Sequence, residues 1–214
     1  MSRRAPGRRP ATKKNDTAKS GNQQLRIIAG EWRGRKLSFP AIEGLRPTPD
    51  RVRETLFNWI SAYVPGAKCL DLFTGSGALG LEALSRGASQ ATLIDLSAVA
   101  TKQLQANLQT LNASNGNVIQ ADVQRWLSQQ SSEQNSDDPQ YDLVFMDPPF
   151  RKELAAACCE LLESQELLTK RAMIYVETES ELTVLQVPDN WHLHREKNAG
   201  QVTYRLYMRE APDV

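Results

Sequence analysis

The sequence of 214 residues contains no long hydrophobic run. A helix that spans a bilayer needs roughly 20 consecutive apolar residues, so the sequence excludes an integral membrane protein of that kind. The N-terminal segment is basic and lacks the apolar stretch of a secretory signal. We therefore expect a protein without membrane contact.

Cysteine is also scarce, with only Cys69, Cys158 and Cys159 in the chain. An odd number without the spacing of metal ligands predicts neither a disulfide framework nor a metal site. This usage fits the reducing cytoplasm, where we expect the protein to be located. The three thiols are predicted to be small core residues.

Net charge is nearly absent at +1, yet the charges are unevenly distributed. In the first 20 residues, Asp16 is accompanied by many basic side chains: Arg3, Arg4, Arg8, Arg9, Lys13, Lys14 and Lys19. The polar, charged composition of this segment predicts a disordered tail over residues 1–24. Its charge suits binding to nucleic acid, but a solubilising tail would have the same composition.

Residues 25–66 are predicted to form an extension before the main domain. Residues 25–39 have the pattern of a small β-hairpin with glycine turns at Gly30 and Gly34. Thr48-Pro49-Asp50 then has the order of a helix start, with a Thr cap, a Pro at the first helical position and an acid in the first turn. The helix is predicted to bury one apolar stripe and to project Arg51 and Arg53 away from it.

Residues 67–210 alternate between strand and helix patterns, which predicts an α/β domain with a mainly parallel sheet covered by helices on both faces. The pattern is typical of a Rossmann-like fold. Two final alternating segments around Asn198-Ala199-Gly200 predict a C-terminal antiparallel hairpin. Predicted strands are 68–73, 91–95, 117–121, 141–146, 172–177, 191–197 and 201–208, and predicted helices are 78–86, 97–111, 122–130 and 151–168.

A glycine-rich loop, Asp71–Gly77, follows the first strand of this domain and precedes a helix. Glycine lets the backbone approach a ligand closely, and a helix N-terminus presents free N–H groups. Asp95 ends the next strand, where a carboxylate can bind ribose hydroxyls. This combination predicts a nucleotide-containing cofactor.

Two cofactor classes fit the loop. Residues 75–80 satisfy the dinucleotide pattern G-x-G-x-x-G, so an NAD-linked oxidoreductase is one alternative. Asp71 is better suited to the ammonium group of S-adenosylmethionine than to a pyrophosphate, which favours the methionine cofactor. Asp122 can accept a bond from an adenine amine, or can cap the helix that follows it. The predicted cofactor-binding residues are Asp71, Phe73, Gly75, Ser76, Gly77, Asp95, Leu96, Asp122 and Val123.

The tetrapeptide Asp147-Pro148-Pro149-Phe150 follows the apolar strand 141–146 and carries the predicted chemistry. Proline keeps the Pro148 carbonyl out of a helix, so this carbonyl and the Asp147 carboxylate can both accept hydrogen bonds. The Phe150 ring can stack on a planar group. The sequence therefore predicts a slot for a nucleobase that carries an exocyclic amine.

The loop Asp71–Gly77 and the tetrapeptide Asp147–Phe150 together resemble S-adenosylmethionine-dependent methyltransferases that act on exocyclic amines. Residues 45–58, Leu-Arg-Pro-Thr-Pro-Asp-Arg-Val-Arg-Glu-Thr-Leu-Phe-Asn, resemble more specifically the bacterial family that methylates guanine N2 in 16S ribosomal RNA. The resemblance includes residues 25–37 and 200–207 and covers roughly 25–209. It implies a guanine in an assembled or partly assembled small ribosomal subunit as substrate. Independently of the resemblance, we expect a monomer.

The resemblance leaves two other functions open, namely an adenine-N6 methyltransferase with the same slot and a non-catalytic RNA-binding assembly factor. Arginines near the slot can either bind RNA phosphates or form salt bridges on a solvated helix face. Together with the hairpin arginines they favour a basic rim for RNA. The predicted RNA-binding residues are Arg46, Thr48, Arg51 and Arg53.

Overall fold

The computed structural model describes residues 23–42, 48–130, 140–150 and 153–210. The strands in these ranges are β1 (Gln23–Arg26), β2 (Lys36–Phe39), β3 (Lys68–Leu72), β4 (Gln90–Asp95), β5 (Gly116–Gln120), β6 (Tyr141–Met146), β7 (Leu168–Glu179), β8 (Trp191–Ala199) and β9 (Val202–Arg209). The helices are α1 (Asp50–Trp59), α2 (Gly80–Ser85), α3 (Ala98–Leu111), α4 (Val123–Gln129) and α5 (Leu154–Ser164). No helix in these ranges is long and apolar enough to cross a membrane.

The main sheet has seven strands in the order β5-β4-β3-β6-β7-β9-β8. Strands β3 to β7 pair in parallel, and β9 pairs antiparallel with both β7 and β8. Chain order reverses between β3 and β6, so the loops after these strands diverge and leave a crevice where ligands bind in open α/β sheets. The predicted Rossmann-like fold and its C-terminal hairpin are confirmed.

Among the residues that the structure describes, the core consists of two apolar clusters, one on each face of the sheet. The first joins the side chains of α1, α2 and α3 to strand residues such as Cys69 and Phe145. The second joins α4 and α5 to strand residues such as Leu70 and Val144. This division follows the two-residue period of a strand. Cys158 and Cys159 belong to the second cluster, and all three cysteines are free and buried, which confirms the prediction that they are core residues.

The N-terminal hairpin is anchored on α2. Strands β1 and β2 pair antiparallel, with Leu25 opposite Leu37, and both side chains are buried. The turn requires glycine at position 30, because φ is +81° and an added Cβ would lie 1.8 Å from the Ser85 carbonyl oxygen. The Ser85 carbonyl in turn accepts a bond of 2.7 Å from the amide of Glu31. The hairpin therefore shares the first core cluster with the main sheet, and the boundary at residue 66 stays a prediction.

Two predicted details are wrong. Thr48 does not cap α1: the N-cap is Pro49 without a side-chain bond, and the Thr48 hydroxyl lies 3.4 Å from Glu177 Oε1. The last predicted helix also ends early, because Glu166 adopts a left-handed φ of 53° and β7 begins at Leu168. The Leu167 carbonyl then accepts a bond of 2.8 Å from the Tyr141 amide, so this segment extends the sheet.

Candidate active site

Four acidic residues gather at the carboxyl edge of the parallel strands. Leu72 pairs with both Ile94 and Met146, and Met146 pairs with Val176, so the loops after β3, β4 and β6 begin side by side. The odd-numbered neighbours in these strands belong to the first core cluster. By the same alternation the acids project toward that face of the sheet: Asp71, Asp95, Asp147 and Glu177. The predicted cofactor loop and amine slot are therefore adjacent.

The glycine loop after β3 has an unusual backbone. Phe73, Gly75 and Gly77 have φ values of 62°, 52° and 79°, respectively. Left-handed φ is strained for a bulky residue such as Phe73, and strain of this kind is common at ligand-binding loops. Glycine is needed at position 80 for a different reason, because an added Cβ would lie 2.1 Å from Leu93 Cδ2. The third glycine of the pattern thus permits close packing of helix on strand.

Asp71 organises the loop from within. Its Oδ2 accepts bonds of 2.8 Å from the Gly80 amide and 2.9 Å from the Thr74 hydroxyl. Burial raises the pKa of Asp71 to about 7, although these two bonds oppose the shift. A carboxyl group with this pKa responds strongly to a nearby cation. The predicted contact with the cofactor ammonium remains a prediction.

Asp95 connects the loop to the end of β4. Its two oxygens accept bonds of 2.8 Å from the amides of Gly75 and Ser97. A carboxylate has about four lone-pair sites, so ribose hydroxyls can still donate to it. Next to it Leu96 is 68% exposed, and Val99 is 61% exposed on the first turn of α3. These exposed apolar side chains are available to pack against a flat ring.

Asp122 caps α4, as one of the two sequence interpretations expected. Its Oδ1 accepts a bond of 2.9 Å from the Arg125 amide. Capping uses one lone pair and leaves the other carboxylate oxygen available to an adenine amine. The side chain of Val123 is buried in the second core cluster, so only its backbone can contact a ligand directly.

The amine slot continues the edge of β6. Asp147 is partly buried, Pro148 is buried, and Phe150 is 39% exposed. Burial and the negative charges of Glu177 and Asp71 raise the pKa of Asp147 well above its usual range. Among the described residues, none donates a hydrogen bond to this carboxylate. A carboxylate in this position is stabilised either by protonation or by a ligand that donates hydrogen bonds to it.

Glu177 was missed in the sequence analysis. It lies on β7 directly after Val176, the partner of Met146, and its side chain is buried. Its Oε1 accepts a bond of 2.8 Å from the Tyr175 hydroxyl. Burial raises the pKa of Glu177, although the bonds from Tyr175 and Thr48 oppose this shift. The sequence signal that could have identified Glu177 as a site residue is an acid at the end of the apolar run of a strand, in the strand that follows the Asp147 strand.

A groove of about 1020 Å³ begins at the two prolines of the slot. Pro148 and Pro149 line it together with α5 and residues 182–188. Because α5 belongs to the second core cluster, this groove lies on the opposite side of the sheet from the four acids. Its lining residues include neither Phe150 nor the glycine loop.

The predicted RNA-binding residues are placed differently from one another. Arg53 is fully buried and contacts Asp50 and Glu82 at 2.6 Å and 3.5 Å, so the prediction that it binds RNA is wrong. Thr48 is also buried and lies against Glu177 rather than on an open surface. Arg51 is exposed on α1 and stays a candidate, while Arg46 lies outside the described residues. Within those residues, no group of three or more metal-ligating side chains occurs.

We predict that S-adenosylmethionine binding releases a proton from Asp71 near pH 7. The raised pKa of about 7 leaves Asp71 partly protonated in the free protein, and a bound cation lowers that pKa. Calorimetry in buffers of different ionisation enthalpy measures the proton count. Asp71→Asn should abolish the release, and an unchanged count in this variant would contradict the assignment.

The same raised pKa fixes the sign of the pH effect on stability. Protonated Asp71 is favoured in the folded protein, since its pKa there is about 7 against a usual value of 3.8. Its contribution to stability is therefore complete below the usual value and is lost as pH rises toward 7.

The sheet order, the strained glycine loop and the acids at the strand ends define an S-adenosylmethionine-dependent methyltransferase. Residues 25–208 match the family described as "Conserved hypothetical protein 95", and the chain belongs to that family.

Curated relatives support this membership along nearly the whole chain. The "Ribosomal RNA small subunit methyltransferase D" of Escherichia coli K12 is 53% identical over 192 residues, covering 90% of this chain and 93% of that protein. The protein of the same name in Haemophilus influenzae is 48% identical over 185 residues, covering 86% and 94%. A solved "Putative methyltransferase yhhF from Escherichia coli" superposes with a TM-score of 0.79 at 52% identity, covering 88% of this chain and 99% of that one.

Proposed function

We propose that this protein methylates the exocyclic N2 amine of a guanine in 16S ribosomal RNA. The observation that carries the proposal is the pairing of β3 with β6 at the switch point of the sheet, because the glycine loop and the Asp147 segment begin at the ends of these two strands. The names of the curated relatives, which describe small-subunit ribosomal RNA methyltransferases, support RNA as the substrate. The segment 45–58 supports guanine as the base.

The cofactor fits the residues at the ends of β3 and β4. We assign its amino-acid part to Asp71 and the glycine loop, its ribose to Asp95, and its adenine to Leu96 and Asp122. The left-handed Gly75 and Gly77 give the backbone close access to the ligand. When bound, S-adenosylmethionine supplies an electrophilic methyl group on sulfur.

The slot activates the amine by positioning and electrostatics. The lone pair of guanine N2 is delocalised into the ring, which makes the amine a weak nucleophile. Asp147 and the Pro148 carbonyl accept its two N–H bonds, localise the lone pair and direct it toward the methyl group. Asp147 can also take the proton that the amine loses. Phe150 stacks on the base, which must leave its helical stack to enter the slot.

The RNA is expected to approach from the side of Arg51, which is exposed on α1 near the slot. Arg51 is close enough to the buried Tyr204 to lower the pKa of that phenol, against the larger effect of burial. Tyr204 neighbours Tyr175, the donor to Glu177, at 6.3 Å between ring centroids. The proposed substrate is the assembled or partly assembled small subunit, modified in the cytoplasm by a monomeric enzyme.

Small subunits from cells that lack this protein test the proposal. Incubation with labelled S-adenosylmethionine, followed by nucleoside analysis, should yield N2-methylguanosine. N6-methyladenosine as the sole product would contradict the choice of base. Retention of RNA without any methylated product would instead support an assembly factor. Naked RNA, partial particles and whole subunits assayed in parallel identify the form of the substrate.

A further inference from the structure

Glu177 and Asp147 form a pair of carboxylates at the ends of two adjacent parallel strands. Each directly follows a member of the register pair Met146 and Val176. Residues at matching positions in parallel strands project to the same face, so both carboxylates face the slot side of the sheet. The charge of Glu177 also contributes to the raised pKa of Asp147, which is consistent with close approach.

One carboxylate oxygen of Glu177 accepts hydrogen bonds and the other does not. Both neighbouring hydroxyls, Tyr175 at 2.8 Å and Thr48 at 3.4 Å, lie on Oε1. Oε2 receives no hydrogen bond from the described residues. In the described part of the chain, the side-chain polar atoms that are both buried and without a hydrogen-bond partner all belong to Arg53. Because Oε2 of Glu177 has no partner and is not one of these atoms, it is not fully buried. Oε2 is therefore an acceptor of fixed orientation that remains accessible to a ligand.

Two adjacent acceptors match one nucleobase edge. Guanine presents its N1–H and N2 amine as neighbouring donors, whereas adenine has an unprotonated N1 acceptor beside its N6 amine. Cytosine likewise has the acceptor N3 beside its amine. A second carboxylate next to Asp147 pairs with guanine N1–H but faces a lone pair in the other two bases. A buried acceptor without a donor is a strong means of rejection.

We propose that Glu177 selects guanine by accepting the N1–H bond on Oε2, while Asp147 and the Pro148 carbonyl hold the N2 amine. This inference rests on the proposed function, because it requires the amine to occupy the Asp147 slot. It assigns the choice of base to a residue outside both the tetrapeptide and the 45–58 segment. Glu177 thereby separates amine methylation of guanine from that of adenine.

The test compares two bases that share the N2 amine. 2,6-Diaminopurine keeps this amine but carries an unprotonated N1. Small subunits are reconstituted with ligated 16S RNA that has either guanine or 2,6-diaminopurine at the mapped target position. The kcat/KM ratio of the two substrates then reports recognition of N1–H.

The wild-type protein should prefer guanine by about 10- to 100-fold, the range expected for a hydrogen bond to a charged group. In Glu177→Gln the Tyr175 hydroxyl keeps the amide oxygen on its side, so the NH2 group replaces Oε2 and meets guanine N1–H as a second donor. The preference should fall to about threefold or less. An unchanged ratio in this variant would overturn the proposal.

Two further variants separate specificity from folding. Glu179→Gln alters a neighbouring acid on the same strand and should leave the ratio at its wild-type value; an equal loss in this variant would overturn the assignment to Glu177. Tyr175→Phe removes the donor that orients Glu177 and should lower the ratio by a smaller factor, which provides a second test if Glu177→Gln does not fold. Absence of N2-methylguanosine with wild-type protein would instead refute the proposed function itself.

Discussion

Asp147→Asn is expected to lower the rate of methyl transfer by about 100- to 1000-fold. The asparagine amide replaces one accepting oxygen by a donor, and that donor faces the N–H bonds of the target amine. The negative charge that stabilises the developing positive charge on N2 is also lost. Single-turnover assays with labelled S-adenosylmethionine and small subunits measure the effect, and calorimetry should show cofactor binding close to wild type.

The same variant is expected to be more stable than the wild type. The pKa of Asp147 is raised in the folded protein, so folding favours its protonated form. Its contribution to stability is therefore present below the usual Asp pKa of 3.8 and is lost as pH rises toward the raised value. At pH 7 the neutral amide removes this cost and should raise the free energy of unfolding, which urea unfolding measures.

Opposite signs for activity and stability distinguish a site residue from a structural one. Asp142→Asn is the matched control, because Asp142 lies at the other end of β6, where its Oδ2 accepts a bond of 2.9 Å from the Lys68 amide. This control should retain activity and lose some stability. Reduced stability together with full activity in Asp147→Asn would refute the role of the slot.

The sheet was predictable because its strands alternate with helices and each is bounded by turn residues. Asp71, Asp95 and Asp147 were also predictable as neighbours, since parallel strands bring their carboxyl ends to one edge. The role of Asp71 in holding the Gly80 amide was not, because it depends on how α2 packs against β3. Periodicity reports which face a residue occupies and gives no partner for it.

Arg53 and Glu177 show what local patterns omit. The helical pattern places Arg53 off the apolar stripe of α1 and therefore predicts a surface charge. In the structure Arg53 is fully buried, because Glu82 on α2 faces it across the core. From the sequence alone, Glu177 is predicted to be only the polar end of a strand. The pairing of β6 with β7 is what brings it beside Asp147. Both assignments depend on contacts between segments far apart in the chain.

Glu82→Ala is expected to lower the free energy of unfolding by about 3–5 kcal/mol, the range for breaking a buried ion pair on one side. The fully buried carboxylate accepts bonds from the amides of Ile28 at 2.8 Å and Ala29 at 3.0 Å. It also accepts a bond of 2.7 Å from Arg86 Nε, and Arg53 Nη1 lies at 3.5 Å. The variant removes all four contacts, and the loss is a large fraction of the roughly 5–15 kcal/mol by which a domain is stable.

Arg53 explains why one substitution has such an effect. Its Nη2 pairs with Asp50 at 2.6 Å, but its Nε and Nη1 are buried without a hydrogen-bond partner among the described residues, and Glu82 is the carboxylate that faces Nη1. Urea unfolding measures the change, and Glu54→Ala, on the exposed side of α1, should stay within about 0.5 kcal/mol of wild type. A loss no larger than that in Glu82→Ala would contradict the account.

The double variant Arg53→Met/Glu82→Gln separates charge compensation from simple packing. If the cost of Glu82→Ala comes from the reduced compensation of the Arg53 charge, which then keeps only Asp50, removing both charges should recover part of the lost stability. Glu82 lies on the first turn of α2, directly after the glycine loop, and its partners Ile28 and Ala29 lie in the N-terminal hairpin. Glu82→Ala should therefore weaken S-adenosylmethionine binding as well. If cofactor affinity falls and recovers together with the free energy of unfolding across these variants, the hairpin supports the cofactor site through the Glu82 carboxylate.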